Sequence, residues 1–169
     1  MFHLTKHQVK IAGFNPRAEK HGDDNVLAGD LKLEAIVHSS VLDGFDKQLR
    51  KFLYRKPAQG EQVEMQFEQG DDLTARRVPK LSPFKWDEDF PGYKIELDSG
   101  LAVDETLKLS DVELSGFTFE AMDGGSVKIT FRASFHPDGR TSGKLCQLIQ
   151  ETVELSLIAP AREEQQQAA

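Results

Sequence analysis

The chain has little cysteine, little tyrosine or tryptophan and no long apolar run, and each shortage excludes something. Its single cysteine, Cys146, permits no intrachain disulfide and no cysteine-based metal cluster. That usage suits a reducing compartment. No apolar stretch approaches the roughly 20 residues needed to span a bilayer as a helix. The opening Met1-Phe2-His3-Leu4-Thr5-Lys6 lacks the apolar core of a signal peptide. A cytoplasmic location with no membrane contact is therefore the expectation. Tyrosine and tryptophan number 2 and 1 against 11 phenylalanines, a balance that favours buried rings over a tyrosine-rich adhesive surface. Basic charge is short as well. The 21 Lys and Arg oppose 28 Asp and Glu, for a formal net charge of −7. This argues against a wholly basic, duplex-coating protein but leaves room for a local basic groove.

What is present reads as a folded, mostly β chain. With 169 residues, 38% hydrophobic and 29% charged, it fits one globular domain that needs no covalent staple. That domain is expected over residues 1–160, with the polar 161–169 as a disordered tail. Val9-Lys10-Ile11-Ala12 and Leu31-Lys32-Leu33-Glu34-Ala35-Ile36-Val37 alternate as half-buried strands do. The charged, turn-rich segment from Asn15 to Asn25 between them reads as a long exposed loop. Asp43 is placed to cap a short helix over about 43–54, with Phe45, Leu49, Phe52 and Leu53 on its buried face. Val63-Glu64-Met65-Gln66-Phe67 alternates again. Residues 74–92 interleave Pro79, Pro83 and Pro91 with Leu81, Phe84, Trp86 and Phe90, and read as irregular but partly packed. Tyr93-Lys94-Ile95-Glu96-Leu97 resumes the strand pattern.

The clearest feature runs from Thr106 to Phe135. Leu107, Leu109, Val112, Leu114, Phe117 and Phe119 alternate with polar residues, and the phase slips near Ser110-Asp111 and Ser115-Gly116, as at bulges or breaks. Asp123-Gly124-Gly125 supplies turn residues, and Val127, Ile129, Phe131, Ala133 and Phe135 follow in strict alternation, which predicts a β-hairpin. Leu145, Leu148, Ile149 and Val153 recur at helical spacing, predicting a second short helix over about 142–152 capped from Thr141 or Ser142. Val153, Leu155 and Leu157 also alternate as a final strand would, stopped by Pro160. No internal repeat is present. The expected fold is mostly β, a sandwich or barrel-like arrangement of antiparallel sheets with two short helices.

Catalytic chemistry has no signature here. Five histidines, His3, His7, His21, His38 and His136, offer bases, but no Gly-x-Ser-x-Gly elbow, phosphate-binding loop or dinucleotide fingerprint accompanies them. Glu19-Lys20-His21-Gly22-Asp23-Asp24 could offer ligands to a divalent ion, yet it lacks EF-hand spacing and reads more simply as a solvated loop. The expectation is a non-enzymatic binding protein with no catalytic residue, no metal and no cofactor. Its strongest candidate surface is the basic run Lys47, Arg50, Lys51, Arg55 and Lys56, with Arg76 and Arg77 and the aromatic residues Phe84 and Trp86. Positive groups steer phosphates, and aromatic rings offer stacking platforms to single-stranded nucleic acid. The plainer alternative is a solvated helix face above core aromatics.

The segments Glu19 to Val26, Asp30-Leu31-Lys32-Leu33, Lys85-Trp86, Gly92 to Leu97 and Gly124-Gly125-Ser126-Val127 together resemble a group of small proteins from tailed bacteriophages and prophages of Gram-negative bacteria. The resemblance implies a phage protein acting in the host cytoplasm, and it carries over no functional residues. Two functions follow as expectations. One is an accessory of phage DNA metabolism that binds single-stranded DNA through Lys47, Arg50, Lys51, Arg55, Arg76, Arg77, Phe84 and Trp86. The other is a protein–protein module that inhibits a host defence protein through an acidic surface including Asp71, Asp72, Asp87, Glu88 and Asp89. Homo-oligomers are expected under either reading, because sandwich edge strands are pairing templates.

Overall fold

The computed structural model describes residues 1–61, 72–100 and 106–161. In chain order its elements are β1 (Leu4–His21), β2 (Asp24–His38), a 3-10 turn (Ser39–Gly44), α1 (Leu49–Leu53), β3 (Tyr54–Arg55), β4 (Ala75–Arg76), β5 (Phe84–Trp86), β6 (Phe90–Asp98), β7 (Thr106–Ala121), a second 3-10 turn (Asp123–Gly125), β8 (Ser126–Phe135), α2 (Gly139–Gln147) and β9 (Thr152–Ile158). The large sheet has the order β5-β7-β6-β9-β1-β2-β8, and a further β7–β8 pairing closes β7, β6, β9, β1, β2 and β8 into a six-stranded antiparallel barrel. Of the two expected all-β architectures, the chain adopts the barrel. Among the described residues no helix is long and apolar enough to cross a membrane.

Two compact units separate along the chain. One holds residues 3–35, 87–117 and 130 onward; the other holds 1–2, 36–86 and 118–129. The first is the barrel unit. Period-2 alternation sends Val9, Ile11, Leu31, Leu33, Ile95, Leu97, Phe131 and Leu155 inward, all fully or almost fully buried. Phe117 stacks on Phe131 with centroids 5.7 Å apart and meets Phe90 edge-on at 5.6 Å. In the second unit Phe119 is the hub, taking the Phe45 ring at 4.8 Å, Phe84 at 5.8 Å and Trp86 at 6.2 Å.

The slips in β7 are bulges within one strand. Asp111 and Gly116 sit at φ 53° and 62°, and each inserts a residue that moves the buried set from odd to even positions and back. Leu109, Val112, Leu114, Phe117 and Phe119 thus all face inward. The hairpin turn carries Gly124 and Gly125 at φ 80° and 79°, and β9 follows the final alternation from Val153 to Leu157.

Four expectations are corrected. The segment 15–25 is not a loop. β1 and β2 pair without interruption from Phe14↔Leu31 to His21↔Asp24, joined by the two residues Gly22-Asp23 with Gly22 at φ 67°. Residues 15–25 carry no apolar alternation, so backbone pairing and the glycine turn define this stretch and hydrophobic alternation could not reveal it. The helix expected over 43–54 is a 3-10 turn and a five-residue α-helix. His38 Nδ1 accepts from the Ser40 amide at 3.2 Å and Asp46 Oδ1 accepts from the Gln48 amide at 2.7 Å, so local side-chain bonds hold two turns around Gly44 instead of one helix. Leu49 and Leu53 are buried but Phe52 is 59% exposed. The second helix lies earlier than 142–152, because Asp138, not Thr141 or Ser142, caps it by accepting from the Thr141 amide at 2.6 Å; Gln150 at φ 71° then stands past its end. Leu81, expected to be packed, is 38% exposed. The strand pattern at 63–67 and the tail beyond 161 lie outside the described residues.

Candidate functional site

The basic candidates all fall in the unit that contains residues 36–86. Leu49 and Leu53 anchor α1 in its core, which leaves Lys51 and Phe52 on the outside and Arg50 half-buried. The chain passes directly into β3, which pairs with β4 in the register Tyr54↔Arg76 and Arg55↔Ala75. One residue further on, the Arg77 amide donates to the Leu53 carbonyl at 2.8 Å. The Arg77 Nε donates to the Lys51 carbonyl at 3.1 Å, filling an acceptor that the end of a short helix leaves open. Residues 51–53 and 77–78 are thereby held side by side. Exposed on this junction are Lys51, Phe52, Arg77 and Val78, the last 47% accessible.

The other candidates are differently engaged. Both terminal nitrogens of Arg55 bind the Glu61 carboxylate, at 2.8 and 3.0 Å. With a further bond from the Ala58 amide, this pair draws the Glu61 pKa down to about 2. Arg76 grips Asp123 through Nε at 2.8 Å and Nη2 at 3.3 Å, and donates to the Pro79 carbonyl at 3.0 Å. Arg50 Nε donates to the Ser39 hydroxyl at 3.0 Å. Arg55 and Arg76 therefore spend their charge on carboxylates within the protein, and Arg50 is half-buried. Phe84 and Trp86, on β5, are half-buried against Phe119. Lys47 is exposed in the turn before α1. Helical spacing assigns Phe52 to the core, and its exposure follows only from a helix that is five residues long.

A second polar constellation lies in the barrel unit. Along β1 the side chains of Arg17, Glu19 and His21 share one face of the ribbon, and Asp30 on β2 shares it through the pairing Asn15↔Asp30. On β8, the inward run of Phe131, Ala133 and Phe135 leaves Arg132 and Ser134 on the outside, with His136 next in phase. β2 and β8 are neighbours. Of these side chains Arg17, Glu19, Asp30, Arg132, Ser134 and His136, but not His21, line a cleft of about 450 Å³ with Asp111 and Glu113 of β7. Arg17 holds Glu19 Oε1 through Nε at 3.0 Å and Nη2 at 2.7 Å, and its Nη1 binds Asp30. Ser134 donates to Asp30 at 2.7 Å. His136 Nε2 and His21 Nε2 lie 3.2 and 3.6 Å from Glu19 Oε2. The His136 and Arg17 contacts hold the Glu19 carboxyl below the usual range. The sequence could not display this group, because residues 19 and 136 come together only through the barrel's strand order.

Comparison with known protein families, with curated proteins and with solved structures finds no match.

Proposed function

We propose that the chain is a non-enzymatic binding protein that takes single-stranded DNA on the junction of α1 with β4, as an accessory of phage DNA metabolism. The observation that supports this most is the juxtaposition of an exposed phenyl ring, Phe52, with the exposed cations Lys51 and Arg77 on hydrogen-bonded neighbouring segments. A base stacks on such a ring while the cations neutralise its phosphates, an arrangement open to single strands whose bases are unpaired. Lys47 extends the positive edge on the N-terminal side. Phe84 and Trp86 support the unit's core with their rings against Phe119 and give the strand partial stacking surface.

The test is fluorescence anisotropy of labelled single-stranded and duplex oligonucleotides at two salt concentrations, with the Phe52→Ala variant alongside. The reading requires a salt-sensitive preference for the single strand and a loss of about 1–3 kcal/mol on removing the ring. No binding at low salt would remove DNA and leave a protein partner, with the exposed Asp87 and Asp89 beside half-buried Glu88 as the acidic surface to reverse in charge next.

A further inference from the structure

The donor atoms on the ribbon and just past β8 take no part in the DNA binding proposed at the α1–β4 junction. We propose that Glu19, His21 and His136 form a site for one divalent first-row transition-metal ion of the zinc type. One ligand atom from each of the three residues lies within 4.8 Å of the other two. Two of the edges, Glu19 Oε2 to His136 Nε2 at 3.2 Å and to His21 Nε2 at 3.6 Å, bracket the about 3.4 Å that separates donors around a tetrahedral ion at about 2.1 Å. The two imidazoles meet edge to face with centroids 5.7 Å apart. Each is exposed enough to turn its nitrogen inward when an ion arrives.

The surroundings favour a cation. Arg17 would oppose one, but it is shared between two carboxylates, Glu19 and Asp30, so the three groups carry a net charge of 1 − 2 = −1. Arg17 takes only Oε1 of Glu19. It fixes the carboxylate plane and leaves Oε2 to the ion, the orienting role that hydrogen-bonded neighbours play around metal ligands. Two imidazoles and one carboxylate make a borderline donor set that suits zinc, cobalt, nickel or copper better than calcium or magnesium. Three protein ligands leave at least one position open to water or to a ligand oxygen.

Isothermal titration of the full chain with zinc chloride tests the site. One ion per chain is expected. His21→Ala and His136→Ala should each weaken binding at least tenfold, and the double variant should abolish it. His7→Ala and Cys146→Ser, at a half-buried and an exposed group outside the cluster, should leave it unchanged. His21 and His136 side chains are 56% and 48% exposed, so the variants should keep the metal-free melting temperature. Imidazole NMR resonances give a readout without mutation: zinc must shift those of His21 and His136 and spare His3, His7 and His38. Absence of zinc binding, binding undiminished in the double variant, or shifts confined to other histidines would each overturn the assignment.

Discussion

The salt dependence of DNA binding tests how the structure sorts the basic residues. Neutralising one phosphate of a single strand contributes a slope of about −0.7 to log K against log salt. If all six basic candidates, Lys47, Arg50, Lys51, Arg55, Arg76 and Arg77, met phosphates, the slope would be about −4. Arg55 is paired with Glu61 and Arg76 with Asp123, and Arg50 is half-buried, which leaves the exposed Lys47, Lys51 and Arg77 and a slope of about −2. Between about 50 and 200 mM salt the first case weakens binding about 300-fold and the second about 20-fold. Anisotropy titrations over that range separate the two. Neutralising Lys47, Lys51 and Arg77 together to Gln should bring the slope close to zero, whereas Arg55→Gln or Arg76→Gln should leave it nearly unchanged and lower the melting temperature instead. A wild-type slope near −4, or a triple variant with an unaltered slope, would refute this sorting of the arginines.

Three stability predictions follow from the same contacts. Tyr54→Phe removes a buried hydroxyl that donates to the Ser126 carbonyl, but that carbonyl also accepts from the Met122 amide at 2.9 Å. The loss in urea denaturation should therefore be about 1 kcal/mol, not the about 3 kcal/mol of an orphaned acceptor; the larger figure would mean that the second bond does not hold. Gly29→Ala sets a Cβ 2.5 Å from Phe14 Cε2, in a ring stacked on Phe135 at 6.2 Å. Overpacking of this kind costs about 1–3 kcal/mol, and Phe14→Leu in the same chain should recover part of it; a Gly29→Ala protein as stable as wild type would disprove the close approach. Burial pushes the Asp30 carboxyl upward, but the Ser134 hydroxyl and Arg17 outweigh it and hold the pKa below its ordinary value. A depressed folded-state pKa gives stability that is full above the unfolded value of about 4 and is lost as pH falls through the folded value. Asp30→Asn should lower the melting temperature at neutral pH and flatten its decline below about pH 4, and an acid limb as steep as wild type would show that Asp30 does not contribute it.

Alternation makes β6, β8, β9 and the inward halves of β1 and β2 legible, because each presents one apolar face to a core and period 2 records that directly. It also locates the bulges at Asp111 and Gly116 by their phase slips. The outer ribbon is illegible for the same reason reversed: from Asn15 to Asn25 neither face is apolar, and strands held by backbone bonds and polar cross-strand pairs such as Arg17 with Asp30 resemble loops in composition. The α1 region misleads because Phe45, Leu49, Phe52 and Leu53 fit a helical stripe, whereas the Asp46 side-chain bond to the Gln48 amide starts a separate turn and carries Phe52 to the surface. The clustering of basic charge is visible in sequence, but its internal pairing is not, since Glu61 and Asp123 find their arginines across 6 and 47 residues of sequence.

Closure of the barrel also bears on how the chain meets partners. The expectation of oligomers rests on sandwich edges that offer unpaired strands, but six of the strands here close on one another, and a closed barrel has no such edge. Within the large sheet the strand left at an end of the order is β5, three residues long, a poor template for strand addition. The exposed large hydrophobic residues include Ile36, Phe52, Val78 and Leu81, all in the unit that carries Lys47, Lys51 and Arg77. The barrel unit instead carries the polar cleft lined by Arg17, Glu19, Asp30 and His136. Substitutions at Phe52 should therefore affect partner binding and leave any zinc titration intact, and substitutions at His136 should do the reverse.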